Sequence, residues 1–248
     1  MAGMKTTRER HNVMGDRIVL DTIPFSSDFE NLMKQVRVKR GSRYFEDLVS
    51  LWHEAQIITG PKALYKPAFI ETGGEDQVIV DGTLLKSRVL KVNLTNSHRA
   101  FPFVATCGME LDNWAKSLKD MLHSFFAETI KQMALTAALH YLESHVKDNF
   151  SIGKISFMTP GSLEDWPISE QRPLFEILGD IQDAIGVQLK DSLMMSPVQS
   201  VSGIIFPTEA TFESCQLCPR ENCPGRRAAY DKNLYEKKYK SKPEKDQN

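Results

Sequence analysis

The stretch MMSPVQSVSGIIFPTEATFESCQLCPRENCPGRR, from Met194 to Arg227, joins a strand-like run to three of the chain's four cysteines. The run from Gln199 to Phe206 is rich in small and β-branched residues, which is typical of a β-strand. Gly203 lies in its middle, and a glycine inside a strand marks a bulge or a place where another backbone or a ligand comes close. The stretch therefore predicts a strand that carries a binding site.

The cysteines of this stretch follow the spacing Cys215-x2-Cys218-x4-Cys223. Two thiolates separated by two residues can reach one ion, so the spacing predicts an iron-sulfur cluster or a structural zinc. Such sites use four ligands, and the fourth is predicted to be Cys107, or else a solvent, substrate or partner group. A redox disulfide pair and reduced structural thiols are the alternatives.

The composition is that of an ordinary globular protein, with 41% apolar and 25% charged residues. The net charge of -1 gives no electrostatic reason to expect nucleic acid or a membrane as the partner. The N-terminus lacks the apolar core of a secretory signal, and no run of 18 apolar residues exists. Four cysteines are too few for a disulfide scaffold. These features predict a cytoplasmic protein.

The length of 248 residues suits one large domain or two closely packed lobes. We expect a single domain over residues 16–227, with the cysteine cluster at about 213–227. Residues 1–15 are polar without periodicity and are predicted to be a disordered extension. Residues 228–248 end in KKYKSKPEKDQN and are predicted to be a charged mobile tail.

Apolar residues at helical spacing predict helices, and capping residues predict where these begin and end. Ser27 and Asp28 can both cap the first helix, and Gly186 can end the last one. The apolar stripe from Leu111 to Val146 is too long for a typical globular helix, so we predict two helices with a break near residues 124–128. The predicted helical regions are 28–36, 44–58, 111–146 and 169–185.

Apolar residues at alternating spacing predict strands. Ala68 to Val92 is predicted to form antiparallel strands, because Gly73-Gly74 and Asp81-Gly82 supply turns between them. Residues 159–162 are predicted to form a further turn, in which Gly161 takes a positive φ. The other predicted strands are 17–21, 101–106, 154–158, 187–193 and 199–206.

Three segments resemble the activation domain of cobalamin-dependent methionine synthase. GKISFMTPGSLEDWP, residues 153–167, is similar to the Arg-Pro-x-Pro-Gly-Tyr-Pro turn of that family, and SPVQSVSGIIF, residues 196–206, is similar to its Ser-Val-Ser-Gly strand. EQRPLFEILG, residues 170–179, lies where the family has a helix. PKALYKPAFIE and VATCGMEL extend a looser resemblance upstream, to stand-alone shorter relatives, so that it covers residues 18–223.

The resemblance implies an α+β fold with a twisted antiparallel sheet and flanking helices. It also implies S-adenosylmethionine binding and docking on a corrinoid protein or methionine synthase core, so that the inactive cobalamin of this partner can be remethylated. The implied cofactor-binding residues are Phe157, Pro160, Gly161, Ser162, Ser202 and Gly203.

The sequence departs from the family pattern at four positions. The arginine that opens the family turn corresponds to Phe157, and the tyrosine after its glycine corresponds to Ser162. The acidic residue of the family's long helix corresponds to Thr136, and a tyrosine after the strand falls near Phe212. A hydrogen bond that is not made costs about 1 to 3 kcal/mol, so the departures weaken the prediction of S-adenosylmethionine binding.

The leading hypothesis is an accessory protein of a cobalamin-dependent methionine synthase or methyltransferase system. It would support reductive reactivation of a corrinoid protein through a Cys-ligated iron-sulfur cluster. One alternative is an S-adenosylmethionine-binding remethylation domain, and another is a non-catalytic docking module with a structural zinc. A classical hydrolase is disfavoured because the sequence lacks Gly-x-Ser-x-Gly, His-Glu-x-x-His and P-loop motifs.

Overall fold

The computed structural model describes residues 16–25, 28–209, 211–223 and 226–240. Its helices and strands are interspersed along the chain, with a run of four strands between the second and third helices. The strands are β1 Ile18–Leu20, β2 Lys62–Tyr65, β3 Ala68–Thr72, β4 Gln77–Val80, β5 Thr83–Lys86, β6 Arg99–Thr106, β7 Ile155–Met158, β8 Gln188–Leu189, β9 Met195–Ser196 and β10 Ser200–Pro207. The helices are α1 Phe29–Val36, α2 Phe45–Ile58, α3 Arg88–Leu94, α4 Met109–Ser117, α5 Met121–Phe150, α6 Gln171–Leu178 and α7 Ile181–Ile185.

The strand β6 is the centre of an antiparallel sheet. β2 and then β3 pair with one side of it, and β10 pairs with the other side, so that Gly203 lies opposite Phe103. β1 borders β2, β7 borders β10, and β4 and β5 extend the sheet beyond β3. β8 and β9 form a separate small pair. The predicted α+β class with an antiparallel sheet is confirmed.

Side chains alternate between the two faces along each strand, and both faces are buried along the central strands β6 and β10. One face packs against the second half of α5, where Ala138, Leu142 and Val146 contact the apolar side chains of β2, β6 and β10. The other face packs against α6, α7 and the segment that follows β10. The sheet is therefore the middle layer of three.

A second core lies beside the sheet, between helices. α1, α2 and α4 pack on the first half of α5, around Leu48, Trp52 and Cys107. A buried ion pair joins two of these helices, since Asp112 Oδ1 of α4 lies 2.7 Å from Lys131 Nζ of α5. Asp28 caps α1 as predicted, with its carboxylate accepting from Glu30 N at 2.9 Å. Ser27 and residues 1–15 lie outside the described residues.

The predicted break within the long apolar stripe is wrong in position. α4 ends at Ser117, and α5 then runs without interruption for 30 residues from Met121. Asp120 determines this boundary, because its carboxylate accepts hydrogen bonds from Leu122 N at 2.9 Å and His123 N at 3.0 Å. The length of α5 is supported by packing on two cores, which outweighs the usual limit on helix length.

Two other predicted regions differ from the structure. The last part of residues 68–92, predicted as a strand, is the helix α3, because the Ser87 hydroxyl accepts from Leu90 N at 2.9 Å and starts a helix there. The predicted helix over 169–185 is interrupted at Gly179, which has a φ of 72° and separates α6 from α7. The predicted strand over 187–193 is reduced to Gln188–Leu189.

The segment after residue 228, predicted as a mobile tail, instead packs on the domain up to residue 240. Tyr239 is fully buried in the core beside Phe212, and its hydroxyl donates to Asn93 Oδ1 at 2.9 Å. Arg88 Nε donates to the carbonyl of Tyr239 at 2.9 Å. The aromatic residues among the lysines explain this packing, since Tyr239 belongs to the core that α3 and α6 form on this face of the sheet.

Across the described part of the chain, the helices are either too short or too polar to cross a membrane.

Candidate functional site

The two motifs that predicted a cofactor site are neighbours in the sheet. β7 pairs with β10, with Met158 opposite Ile204 and Phe157 opposite Ile205. A Cβ atom on Gly203 would lie 2.3 Å from the carbonyl oxygen of Met158, so only glycine allows this spacing. The predicted close approach of another backbone to Gly203 is confirmed. The turn that begins at Thr159 therefore starts directly beside Gly203.

This turn, residues 159–162, is held in one conformation by its own contacts. Gly161 has a φ of 81°, as predicted, and its N–H donates to the carbonyl of Trp166 at 2.7 Å. A side chain at Gly161 would meet Ile168 at 3.0 Å. Pro160 is buried, and the exposed Ser162 donates its hydroxyl to the Thr159 carbonyl at 2.6 Å. The turn thus presents a fixed backbone surface.

Ser202 offers a buried polar atom on the face of the sheet that α6 covers. The residue is 2% exposed, and its Oγ has no hydrogen-bond partner among the described residues. Its neighbour on the same face, Ser200, differs because its hydroxyl donates to Thr106 Oγ1 at 2.9 Å. A buried hydroxyl without a partner carries a desolvation cost, so Ser202 is suited to bind a ligand atom or a water molecule.

Two further unpaired polar atoms lie on the same side of the sheet, and sequence reasoning missed both. The buried indole Nε1 of Trp166 and the buried Oε1 of Gln171 have no partner among the described residues. Trp166 is the second-last residue of the motif that contains the turn, and Gln171 is the first residue of α6. Trp166-Pro167, which follows the turn, was the sequence feature that could have indicated a buried polar atom here. A tryptophan fully buried next to a turn needs a partner for its N–H.

Phe157, which stands where the family has an arginine, is covered by Arg227 from a later part of the chain. The guanidinium of Arg227 lies over the ring of Phe157, 4.3 Å from its centroid. Arg227 Nη2 is also 2.9 Å from Glu213 Oε2, and the side chain is 44% exposed. Sequence reasoning missed this residue, although it ends the cysteine-containing stretch. The structure thus supplies a cation beside β7, at a residue that packs on the face of the sheet opposite to Ser202.

The neighbouring Arg226 closes the loop that carries the tail cysteines. Its guanidinium donates to the carbonyl oxygens of Cys215 and Cys218, each at 3.1 Å, and to those of Arg220 and Ala228. The N–H of Arg227 donates to Cys215 Sγ at 3.4 Å. An arginine side chain with five donors can satisfy several carbonyl groups at once. The loop is therefore held together by this side chain.

The four predicted metal ligands are not brought together. No group of three or more His, Cys, Asp or Glu side chains within the described ranges could hold a metal ion. Cys107 is buried in the helical core, where burial raises the pKa of its thiol to about 12 and favours the protonated form over a metal-binding thiolate. Cys218 packs against the core on the α6 side of the sheet. Cys215 and Cys223 are partly exposed. The cysteines as placed do not fit a shared iron-sulfur or zinc centre.

A groove of about 470 Å³ lies between α1 and α5 and includes the position where the family's acidic residue is missing. Thr136 lines this groove, but its hydroxyl already donates to the Gln132 carbonyl at 3.0 Å. α1 contributes Asp28, whose carboxylate is an acidic group on the same groove. The groove thus contains a carboxylate. It comes from the N-cap of α1, whereas the family pattern places an acidic residue on the long helix.

Parts of the sequence and the fold are similar to those of known proteins. Residues 112–223 match the family model described as vitamin B12 dependent methionine synthase, activation domain. This confirms the predicted resemblance to the activation domain family. The match includes β7, the turn, β10 and the three tail cysteines, while Cys107 lies outside it.

The activation-domain fold is also found in a solved structure. The crystal structure of the MetH reactivation domain bound to AdoHcy is similar to this chain, with a TM-score of 0.56 and 14% sequence identity. The similarity covers 81% of this chain and 82% of that chain. At 14% sequence identity, the similarity supports the fold alone. A search of curated proteins gave no match.

Proposed function

We propose that this protein acts as the activation component of a cobalamin-dependent methionine synthase. It would dock on the core that carries the corrinoid, so that inactive cobalamin can be remethylated. The observation that supports this role is the family match over residues 112–223, which contains both motifs of the candidate site. The spatial adjacency of these motifs at Gly203 adds support, because motifs with unrelated roles need not meet.

The candidate site is proposed to bind S-adenosylmethionine. Pro160, Gly161 and Ser162 would offer the rigid backbone of the turn, and Gly203 would keep β7 and β10 close together. The Ser202 hydroxyl would supply a hydrogen bond, since it is buried without a partner. The similar structure is bound to AdoHcy, which supports this class of ligand.

Arg227 is proposed to replace the missing arginine at the position of Phe157. The carboxylate of S-adenosylmethionine needs a cation, and a guanidinium can bind a carboxylate through two parallel hydrogen bonds. Arg227 is stacked on Phe157 and paired with Glu213, so its orientation is fixed while part of its surface stays open to solvent. Arg227 would thereby take over part of the role that the motif arginine has in the family, from the face of the sheet opposite to Ser202.

Calorimetry of the full chain with S-adenosylmethionine and with AdoHcy tests this proposal. Saturable binding of both ligands is expected, and Arg227→Gln should weaken it about tenfold, which corresponds to one charge-assisted hydrogen bond. Arg220→Gln is the matched control, because Arg220 is an exposed arginine of the same loop. Absence of heat at millimolar ligand in the unmodified chain would refute S-adenosylmethionine binding.

An iron-sulfur cluster or a structural zinc is not part of this proposal, because the described cysteines provide no group of three ligands. Iron, sulfide and zinc quantitation after anaerobic purification checks this directly. We expect well under one metal site per chain. A stoichiometric cluster would restore the reductive reactivation hypothesis, and one zinc without sulfide would restore the docking-module hypothesis.

A further inference from the structure

A cleft of about 600 Å³ lies at the end of the sheet where β6 and β7 begin and β10 ends. Four separate parts of the chain form its walls. These are residues 92–99, residues 152–154, residues 207–209 and Lys238. The volume is within the range of pockets that bind small molecules. The fold thus builds a concave site from segments that are far apart in sequence.

The cleft carries an excess of positive charge. Arg99, Lys154 and Lys238 line it, whereas Glu209 is the one carboxylate among the described lining residues. The ion pairs found in the described ranges include none of these three cations. Three cations that line one concavity repel one another unless anions offset them, and Glu209 supplies a single carboxylate there.

Lys238 shows this charge imbalance most clearly. Its ammonium group donates to Asn93 Oδ1 at 2.8 Å and lies 5.7 Å from the ring centroid of Phe212. Lys238 is exposed as a residue, but partial desolvation of its ammonium group lowers its pKa, and none of the ion pairs of the described residues offsets this. A partly desolvated charge of this kind gains from an anion placed next to it.

We propose that this cleft binds a small anion that carries phosphate groups, as free pyrophosphate or as the phosphates of a nucleotide. Arg99 can bind phosphate oxygens through two hydrogen bonds, and Lys154 and Lys238 act as point charges from two other segments of the wall. A small ligand fits this concave cleft better than the flat acidic surface of a protein does.

The cleft is distinct from the candidate site at Ser202. Ser202 and Pro207 stand five residues apart on β10, which corresponds to about 17 Å along a strand. Lys154 precedes β7, whereas the turn at Pro160 follows it, so the two sites lie at opposite ends of this strand pair. Phosphate binding therefore does not depend on the proposed S-adenosylmethionine site.

Calorimetric titration of the full chain with inorganic pyrophosphate, at constant ionic strength, tests the proposal. We expect saturable binding that Lys154→Gln and Lys238→Gln each weaken about tenfold. Glu209→Gln should strengthen binding severalfold, because it removes the carboxylate that faces the anion. Lys119→Gln is the matched control with the same change of charge at an exposed position outside the cleft, and it should leave binding unchanged.

Comparison with ATP distinguishes the two sources of phosphate, since a nucleotide site binds ATP more tightly than pyrophosphate. The proposal is overturned if pyrophosphate and ATP show no saturable binding. It is also overturned if Lys119→Gln weakens binding as much as Lys154→Gln, or if an acidic peptide binds and both phosphate compounds do not. S-adenosylmethionine binding, measured on Lys154→Gln, should equal that of the unmodified chain, so failure of one site is separable from failure of the other.

Discussion

Gly203 shows how a single residue determines the geometry of the candidate site. Its Cα faces the Met158 carbonyl and the ring of Phe103, and both would be within 3.0 Å of an added Cβ. The absence of a side chain therefore lets β7 reach β10 and places the turn at residue 159 next to the strand. Gly203 therefore belongs to the family's Ser-Val-Ser-Gly motif and is also the residue that the close packing of β7 on β10 requires.

Gly203→Ala is expected to destabilise the protein by about 3 kcal/mol, because a methyl group must push apart two paired strands. Urea unfolding measures this change. Gly153→Ala is the matched control, since a Cβ there meets nothing within 4 Å, and it should stay within about 0.5 kcal/mol of the unmodified chain. Equal stability of the two variants would contradict the close approach at Gly203.

His145 is expected to make stability depend on pH. Its Nδ1 lies 3.0 Å from the hydroxyl of the buried Tyr65, and burial lowers the pKa of His145, with a smaller opposing effect of Asp148. The unfolded chain therefore takes up the proton first, so stability is complete above the unfolded pKa of about 6.5 and falls as the pH decreases below it.

Urea midpoints at pH 7.5 and pH 5.5 measure this effect. His145→Gln should reduce the difference between the two midpoints, because glutamine cannot take up the proton. His140→Gln should keep the difference, since His140 lies on the same helix, whereas the Tyr65 hydroxyl contacts His145. A pH dependence that is unchanged in His145→Gln would assign the effect to other groups.

At the scale of elements, α5 organises the molecule because it packs on both cores. Its first half contacts α1, α2 and α4, and its second half covers one face of the sheet. The ion pair between Asp112 and Lys131 fixes α4 against the first half, and both side chains are almost completely buried. Burial opposes ionisation of Asp112, but hydrogen bonds from Lys116 and Lys131 outweigh it and lower the pKa of Asp112.

Lys131→Met is expected to cost about 3 kcal/mol, because it leaves the buried Asp112 without its buried partner. Chemical denaturation measures the change. Lys116 is the other lysine that contacts Asp112, and the Lys116 side chain is 60% exposed. Lys116→Met should therefore cost under about 1 kcal/mol. Similar costs for the two variants would show that the buried contact has no special importance.

At the scale of the whole molecule, the segment after β10 completes the domain. Phe212, Leu217 and Tyr239 cover the face of the sheet that also contacts α6. The same segment supplies Arg227 beside Phe157 and Lys238 in the basic cleft. Removing this segment would therefore affect both proposed sites as well as the core.

Tyr239→Ala is expected to destabilise the protein by about 3 to 5 kcal/mol, since it empties a fully buried aromatic position. Thermal or urea unfolding of the full chain measures this effect. Tyr230→Ala, at a position that is 48% exposed, should change stability by less than about 0.5 kcal/mol. A mobile tail, as the sequence predicted, would make the two substitutions equivalent.

The amino-acid sequence by itself determined the features that depend on local patterns. These include β10 with its glycine, the Gly161 turn, the Asp28 cap and the resemblance to the activation domain family. Each follows from residue types within a short window, where alternation, capping and backbone freedom act directly. The α+β class could also be predicted, because these local patterns agree with one another.

Only the tertiary structure decided which distant groups meet. It separated Cys107 from the tail cysteines, because Cys107 is buried in the core between the helices while Cys218 packs on the other side of the sheet. It placed Arg227 over Phe157 and gathered the cations of the basic cleft from separate parts of the chain. Cysteine spacing indicates which thiols can share an ion, but the side of a sheet on which each thiol lies follows from strand pairing and helix packing, which no short window of sequence contains.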